Sequence, residues 1–170
     1  AICTGFSLFF QPQVSAVEQK IIGAEALLRW KNLKGSMVAP MEFIPILEET
    51  KLIIPVGKWI FAEAVRVCKR WREVIPEFHV SINMSYEQVK DLSFKKFLAD
   101  CLQRYEMPPE AIILELTESK IVADWSFVNK QFDEFRQQGL AIAMDDFGTG
   151  YSSLASLKYL SCDIVKIDRE

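Results

Sequence analysis

Apolar residues recur along the chain in two rhythms that alternate. Residues 6–14 and 20–30 are strand-like runs rich in aromatic and aliphatic side chains, and residues 15–19 can join them as a hairpin. Residues 32–35 are turn-like, and Pro40 opens a short helix reaching about Lys51. Pro55 and Gly57 punctuate the start of the next segment. Ile60, Ala64, Val67 and Trp71 then step by four, three and four, which is one face of a helix that Pro76 breaks. Residues 78–83 alternate as a strand. Ser93 is placed to cap a helix with Phe97, Cys101 and Tyr105 on its apolar face, and Pro108 and Pro109 end it. Residues 111–116 form a strand. Asp124 is placed to cap a helix carrying Trp125, Val128, Phe132 and Phe135, with Gly139 at its C-terminal end. A strand over 140–145, a short helix over 152–157 and a last strand over 163–167 complete the pattern.

After the hairpin the order is strand, helix, strand, helix, strand, helix, strand. That order predicts a parallel sheet with helices outside it, as a doubly wound sheet or a (β/α) barrel. No Gly-x-Gly-x-x-Gly follows a strand, so a dinucleotide-binding sheet has no support. A full barrel takes about 250 residues, so the barrel reading requires strands beyond the 170 here. No linker, repeat or low-complexity tract divides the chain, and residues 1–170 read as one partial domain. Both ends look cut, as in a fragment of a longer protein.

Composition narrows the classes. Half the residues are hydrophobic and a quarter are charged, which excludes a disordered or fibrous chain. A net charge of −3 without a long basic run argues against general nucleic-acid binding. No apolar stretch approaches the roughly 20 residues of a spanning helix. Cys3, Cys68, Cys101 and Cys162 match no zinc or Cys-x-x-Cys spacing. Reduced thiols and the lack of a visible signal peptide suit a cytoplasmic protein.

Five strands carry a polar residue where the pattern asks for an apolar one: Glu25, Asn83, Glu115, the pair Asp145–Asp146, and Lys166. Strand parity gives these positions a direction. Phe78, Val80 and Ile82 oppose His79, Ser81 and Asn83. Ile112, Leu114 and Leu116 oppose Glu115, and Ile142 and Met144 oppose Asp145. One apolar row can pack on helices while the polar row turns inward. Four acids, one amide and one amine would then gather at the C-terminal strand ends, where barrel enzymes place their sites. Buried carboxylates that cluster repel one another unless cations neutralise them, and their oxygens are hard ligands suited to Mg²⁺ or Mn²⁺. Adjacent aspartates at a strand end suit a bridge between two metals. Lys166 can orient or help deprotonate a water. His79, the lone histidine, reads as a satisfied core or pore-lining residue. Glu48 and Glu49 read as solvated helix charges, and Trp30 as mostly core, with buttressing of Arg29 as its second reading.

Glu25-Ala26-Leu27-Leu28-Arg29-Trp30 resembles the signature of EAL domains, the phosphodiesterases of cyclic di-GMP. The resemblance covers essentially the whole chain. Phe10-Gln11-Pro12-Gln13-Val14, Ser81-Ile82-Asn83-Met84-Ser85, Glu115-Leu116-Thr117-Glu118-Ser119, the stretch from Asp145 to Leu154, and Lys166-Ile167-Asp168 are similar to further family blocks in order and spacing. It implies a TIM-like (β/α) barrel of α/β class with an antiparallel first strand and its last two strands absent. It further implies that Glu25, Asn83, Glu115 and Asp145 hold one metal and that Asp145 and Asp146 reach a second. Lys166 would contact the attacking water, with Lys166, Glu25 and Asp146 as the catalytic group. Arg29 would pair with a substrate phosphate, and Gln11 and Leu28 would touch the ligand. Glu118, Gly148, Thr149, Gly150, Tyr151 and Ser152 would form the loop that couples the metals to a homodimer.

The implied reaction is hydrolysis of cyclic di-GMP to linear pGpG with two Mg²⁺ or Mn²⁺ ions, Ca²⁺ being inhibitory, in bacterial second-messenger signalling. Sensory or cyclase domains would accompany it in the full-length protein. The family pattern continues past Lys166 to another metal-binding Glu, so this piece alone is expected to be impaired. The rival reading is a receptor that binds cyclic di-GMP without cleaving it. A barrel acting on another phosphodiester is a third.

Overall fold

A computed structural model describes residues 5–117, 125–147 and 161–167, with Trp125 described by its backbone alone. Cys3, Asp124, Glu118, the expected helix over 152–157, and the expected loop residues Gly148, Thr149, Gly150, Tyr151 and Ser152 lie outside them.

Strands β1 (Phe6–Val14) and β2 (Ile21–Lys31) form the antiparallel hairpin, with Gln11 opposite Glu25 in register. A two-residue strand, β3 (Met37–Val38), pairs with the end of β2. Helices α1 (Pro40–Glu49) and α2 (Ile53–Arg72) lead to β4 (His79–Asn83). Helices α3 (Tyr86–Lys90) and α4 (Leu92–Tyr105) lead through a 3₁₀ turn (Pro109–Ala111) to β5 (Ile112–Thr117). Helix α5 (Trp125–Gln137), β6 (Ala141–Phe147) and β7 (Ile164–Ile167) follow. The sheet runs β1-β2-β4-β5-β6-β7, and every neighbouring pair from β2 to β7 is parallel. This is the predicted sheet with an antiparallel first strand. It is open at β1 and β7 among the described residues, as an incomplete TIM-like fold should be.

Local chemistry explains where element bounds depart from the sequence pattern. Helix α2 begins two residues before Pro55. Proline is tolerated there because the first-turn N–H groups have no helical acceptor. The cap of α4 is Asp91, whose carboxylate accepts from the Phe94 N–H at 2.7 Å, and not Ser93. Ser93 instead donates its hydroxyl to Asp91 at 2.5 Å. Strand β3 and helix α3 were not predicted, being too short to show a period.

One face of the sheet packs on the helices. Val80, Ile112 and Ile142 are fully buried there, together with Val56, Ala64, Val65 and Cys68 of α2 and Val128, Phe132 and Phe135 of α5. Each large side chain contributes roughly 1.5–3 kcal/mol by leaving water. Trp71 stands edge-on to Phe10 and Phe78, with ring centres 4.9 and 5.0 Å away, and ties α2 to β1 and the start of β4. No helix among the described residues is long and apolar enough to cross a membrane.

Candidate functional site

The opposite sheet face carries the polar row. Glu25 sits in register with Ser81, and Asn83 with Glu115. Carboxylate oxygens of Glu25, Glu115 and Asp145 lie within 4.8 Å of one another. Three strands, β2, β5 and β6, thus deliver one acid each to the same point.

Lys166 of β7 fills the middle of this group. Its ammonium donates to Glu115 at 2.6 Å, Asp145 at 2.9 Å and Glu25 at 3.2 Å. Strand β7 is held in place to do this. The Asp163 carboxylate accepts the Ile142 N–H at 2.9 Å and the Arg136 Nε–H at 3.0 Å, which pins the start of β7 to β6 and α5. Asn83 donates its amide to Glu25 at 2.7 Å, leaving its carbonyl oxygen for another partner.

The Asp145–Asp146 pair sits on a β-bulge. Met144 pairs with Val165 and Phe147 with Ile167, so β6 spends one residue more than β7 between those points. Asp146 takes the left-handed backbone conformation, φ 56°, which aspartate tolerates better than most residues. Its N–H donates to the Asp145 carboxylate at 3.0 Å. The bulge keeps Asp145 with the acids and turns Asp146, which is exposed, toward a neighbouring cleft.

Burial and charge set the protonation. Glu115 is 1% exposed, and its desolvation raises its pKa although Lys166 and Ser81 pull the other way. Burial works against the charge on Lys166, but its hydrogen bonds to Glu115 and Asp145 outweigh this and hold its pKa above the lysine range. Lys166 is therefore an ammonium donor at neutral pH. Three carboxylates against one ammonium leave two negative charges, the charge of one divalent cation. The hard oxygen donors and the cost of the Glu115 charge both fit such a cation.

The cleft beside the acids encloses about 540 Å³. Leu28, Arg29, Asn83, Thr117 and Asp146 bring the sheet end to it, and α1 supplies Met41, Ile44, Pro45 and Glu48. Leu28 is buried in its wall on the helix side of β2. Arg29 donates to the Leu28 carbonyl at 2.9 Å and lies over the Phe9 ring at 5.9 Å. Trp30 packs against the core, on Phe6 and Phe43 from the other side of the strand, and so does not buttress Arg29. Gln11 is exposed, opposite Glu25 on the edge strand. Glu48, expected as a solvated helix charge, is half-buried and lines the cleft. Its signal was the spacing of Met41, Ile44, Pro45 and Glu48 along one helix face. Gln88, buried against Gly57, also lines the cleft and was missed.

A mostly parallel α/β sheet with acids from three strands at its C-terminal ends is the architecture of a barrel enzyme site. The EAL domain model matches residues 3–170, and the chain belongs to the EAL domain family. It is 38% identical over 164 residues to the signaling protein YkoW of Bacillus subtilis, covering 96% of this chain and 20% of the relative. It is 34% identical over 165 residues to the cyclic di-GMP phosphodiesterase PA2567 of Pseudomonas aeruginosa, covering 97% of this chain and 28% of the relative. The chain thus spans less than a third of the length of these curated relatives. The solved PaMucR phosphodiesterase in complex with c-di-GMP superposes with a TM-score of 0.90 at 35% identity, over 98% of this chain and 68% of that one.

Proposed function

We propose that residues 1–170 are a single, partial EAL domain of a cyclic di-GMP phosphodiesterase. Such an enzyme hydrolyses one phosphodiester bond of cyclic di-GMP to give linear pGpG. The observation that supports this most is the convergence of Glu25, Glu115 and Asp145 around Lys166 beside a cleft that holds Arg29. Relatives named as cyclic di-GMP phosphodiesterases support the substrate.

Glu25, Glu115, Asp145 and the Asn83 carbonyl oxygen would hold Mg²⁺ or Mn²⁺, and Asp146 would reach a second ion from the bulge. When bound, such ions acidify water and neutralise phosphate charge. Ca²⁺, larger and less demanding in geometry, would occupy the site without supporting the reaction. The chain's own residues supply the rest. Arg29 offers a planar pair of N–H donors to a phosphate at the cleft edge. Lys166 would donate a hydrogen bond to the water and orient it without removing its proton. Gln11 and Leu28 bound the ligand. Homodimerisation through the loop after β6, a cytoplasmic location and impaired turnover of this piece alone belong to the same reading.

The test is chromatographic detection of pGpG after incubating cyclic di-GMP with Mg²⁺ and either this chain or the longer protein that contains it, alongside calorimetric binding. Glu25→Ala should abolish metal-dependent turnover in whichever form is active. Binding without cleavage in both forms would favour the receptor reading. Unchanged turnover by Glu25→Ala would overturn the assigned metal role.

A further inference from the structure

Beneath the acids lies a polar network that the proposed reaction does not use. Gln13 belongs to β1, and His79 and Ser81 belong to β4, yet β2 separates those strands. Gln13 crosses β2 at Gly23, which is in register with both Gln13 and His79. A Cβ on Gly23 would lie 2.5 Å from His79 Cδ2 and Nε2, so only the missing side chain leaves a path for this contact. The Gln13 Oε1 faces His79 Nε2 at 3.0 Å, and Gln13 Nε2 donates to Ser81 Oγ at 3.1 Å. Ser81 shares the inner face with Glu115 on the neighbouring strand, in register with Ile113 two residues before it, and its hydroxyl acts to lower the Glu115 pKa. Ser81 and Glu115 are each 1% exposed.

The donors and acceptors run one way. Because the Gln13 oxygen accepts, His79 donates from Nε2. Because the Gln13 amide donates to Ser81, the hydroxyl proton of Ser81 is left for Glu115. Burial, aided by the Arg72 charge, holds His79 below its ordinary pKa and keeps it neutral at pH 7, as the Nε2–H tautomer. At the same depth Ile113 and Ala141 are apolar on the next strands, so the interior does not demand polar groups here.

We propose that Gln13, Ser81 and His79 are positioning residues that aim the Glu115 carboxylate at a divalent cation, with Gly23 as the gap through which the network passes. This rests on the cation role assigned to Glu115 above. Hydrogen-bonded supports of metal ligands commonly change metal affinity by about 10–100-fold when removed.

The test is calorimetric titration of Mn²⁺ into the 170-residue chain. Gln13→Leu, Ser81→Ala and Gly23→Ala should each weaken binding by roughly 10–100-fold. Melting curves should show that each variant remains folded. Gln13→Glu is the sharper probe. A carboxylate there accepts from both sides and draws the Ser81 proton away from Glu115, so affinity should fall. If orientation did not matter, the added negative charge should raise affinity, and that result would overturn the proposal. The chain has one histidine, so its ¹⁵N signals need no assignment, and they should report the Nε2–H tautomer. An Nδ1–H tautomer would also overturn it. Glu115→Gln separates the two readings. If it leaves Mn²⁺ binding unchanged, the cation reading falls and this one with it. If it abolishes binding while the Gln13 and Ser81 variants bind normally, only the positioning network falls.

Discussion

Replacing Lys166 by methionine should destabilise the metal-free chain and make its stability depend on divalent metal. The ammonium contacts three carboxylates at 2.6, 2.9 and 3.2 Å. Removing one partner of a buried ion pair costs about 3–5 kcal/mol. The Lys166 side chain is 28% exposed, and those of Glu25 and Asp145 are 18% exposed, so solvent screens part of this. We expect a loss of about 2–3 kcal/mol, toward the low end for buried pairs. In a chain of this size 1 kcal/mol moves the midpoint by about 2–4 °C, so Tm should fall by about 4–12 °C in chelator. Mn²⁺ restores the missing positive charge. At a hundredfold excess over Kd it adds about 2.7 kcal/mol, enough to recover most of the deficit.

The pH dependence has a definite sign. Glu115 has a raised pKa, so the folded state holds its proton more tightly than the unfolded state. Its stabilising contribution is complete below the ordinary value of 4.5 and is lost as pH rises through the folded value. Losing the Lys166 charge raises that folded value further. The deficit of Lys166→Met should therefore be smallest in acid and grow above about pH 4.5. Thermal melts across pH, with chelator and with Mn²⁺, read both effects. A Tm within about 2 °C of the unaltered chain in chelator would refute the charge balance argued for the site.

The other expectations concern separate links. Asp146→Asn should lower kcat more than cyclic di-GMP affinity in the active form; weakened binding at near-normal turnover would contradict its metal role. Gly57→Ala should destabilise by roughly 1 kcal/mol in melts, since a Cβ there would lie 1.8 Å from Gln88 Nε2 and displace the side chain that accepts the Ser85 N–H, a cost that the better helix propensity of alanine partly offsets. His79 is held below its ordinary 6.5 by burial, so its contribution is full above that pH and is lost as pH falls through the lower folded value. His79→Gln should flatten the fall of Tm as pH drops below 6.5, and an unchanged slope would contradict this.

What could be read in the sequence was whatever repeats with a period. The two-residue alternation in β4, β5 and β6 placed Ser81, Asn83, Glu115 and Asp145 on one face, and the structure keeps them there. The apolar row of the same strands placed the core against α2 and α5. Contacts made by exception to a period could not be read. The bulge at Asp145–Asp146 breaks the alternation, so parity gives no direction for Asp146, and its left-handed backbone has no sequence mark. The crossing of Gln13 over Gly23 joins two strands that are not neighbours, and a strand pattern describes only neighbours.

Glu48 was missed as a cleft residue for a different reason. Its charge was weighed alone, while its place on the Met41, Ile44 and Pro45 face would have set it at the cleft. A polar residue that interrupts an apolar run is a sound pointer to the ligands themselves. It does not find the groups that hold those ligands still, because those groups sit where a side chain is missing or where the period slips. In this chain the glycine on β2 and the extra residue on β6 mark those places. Substitutions there should disturb the site more than their size alone would suggest.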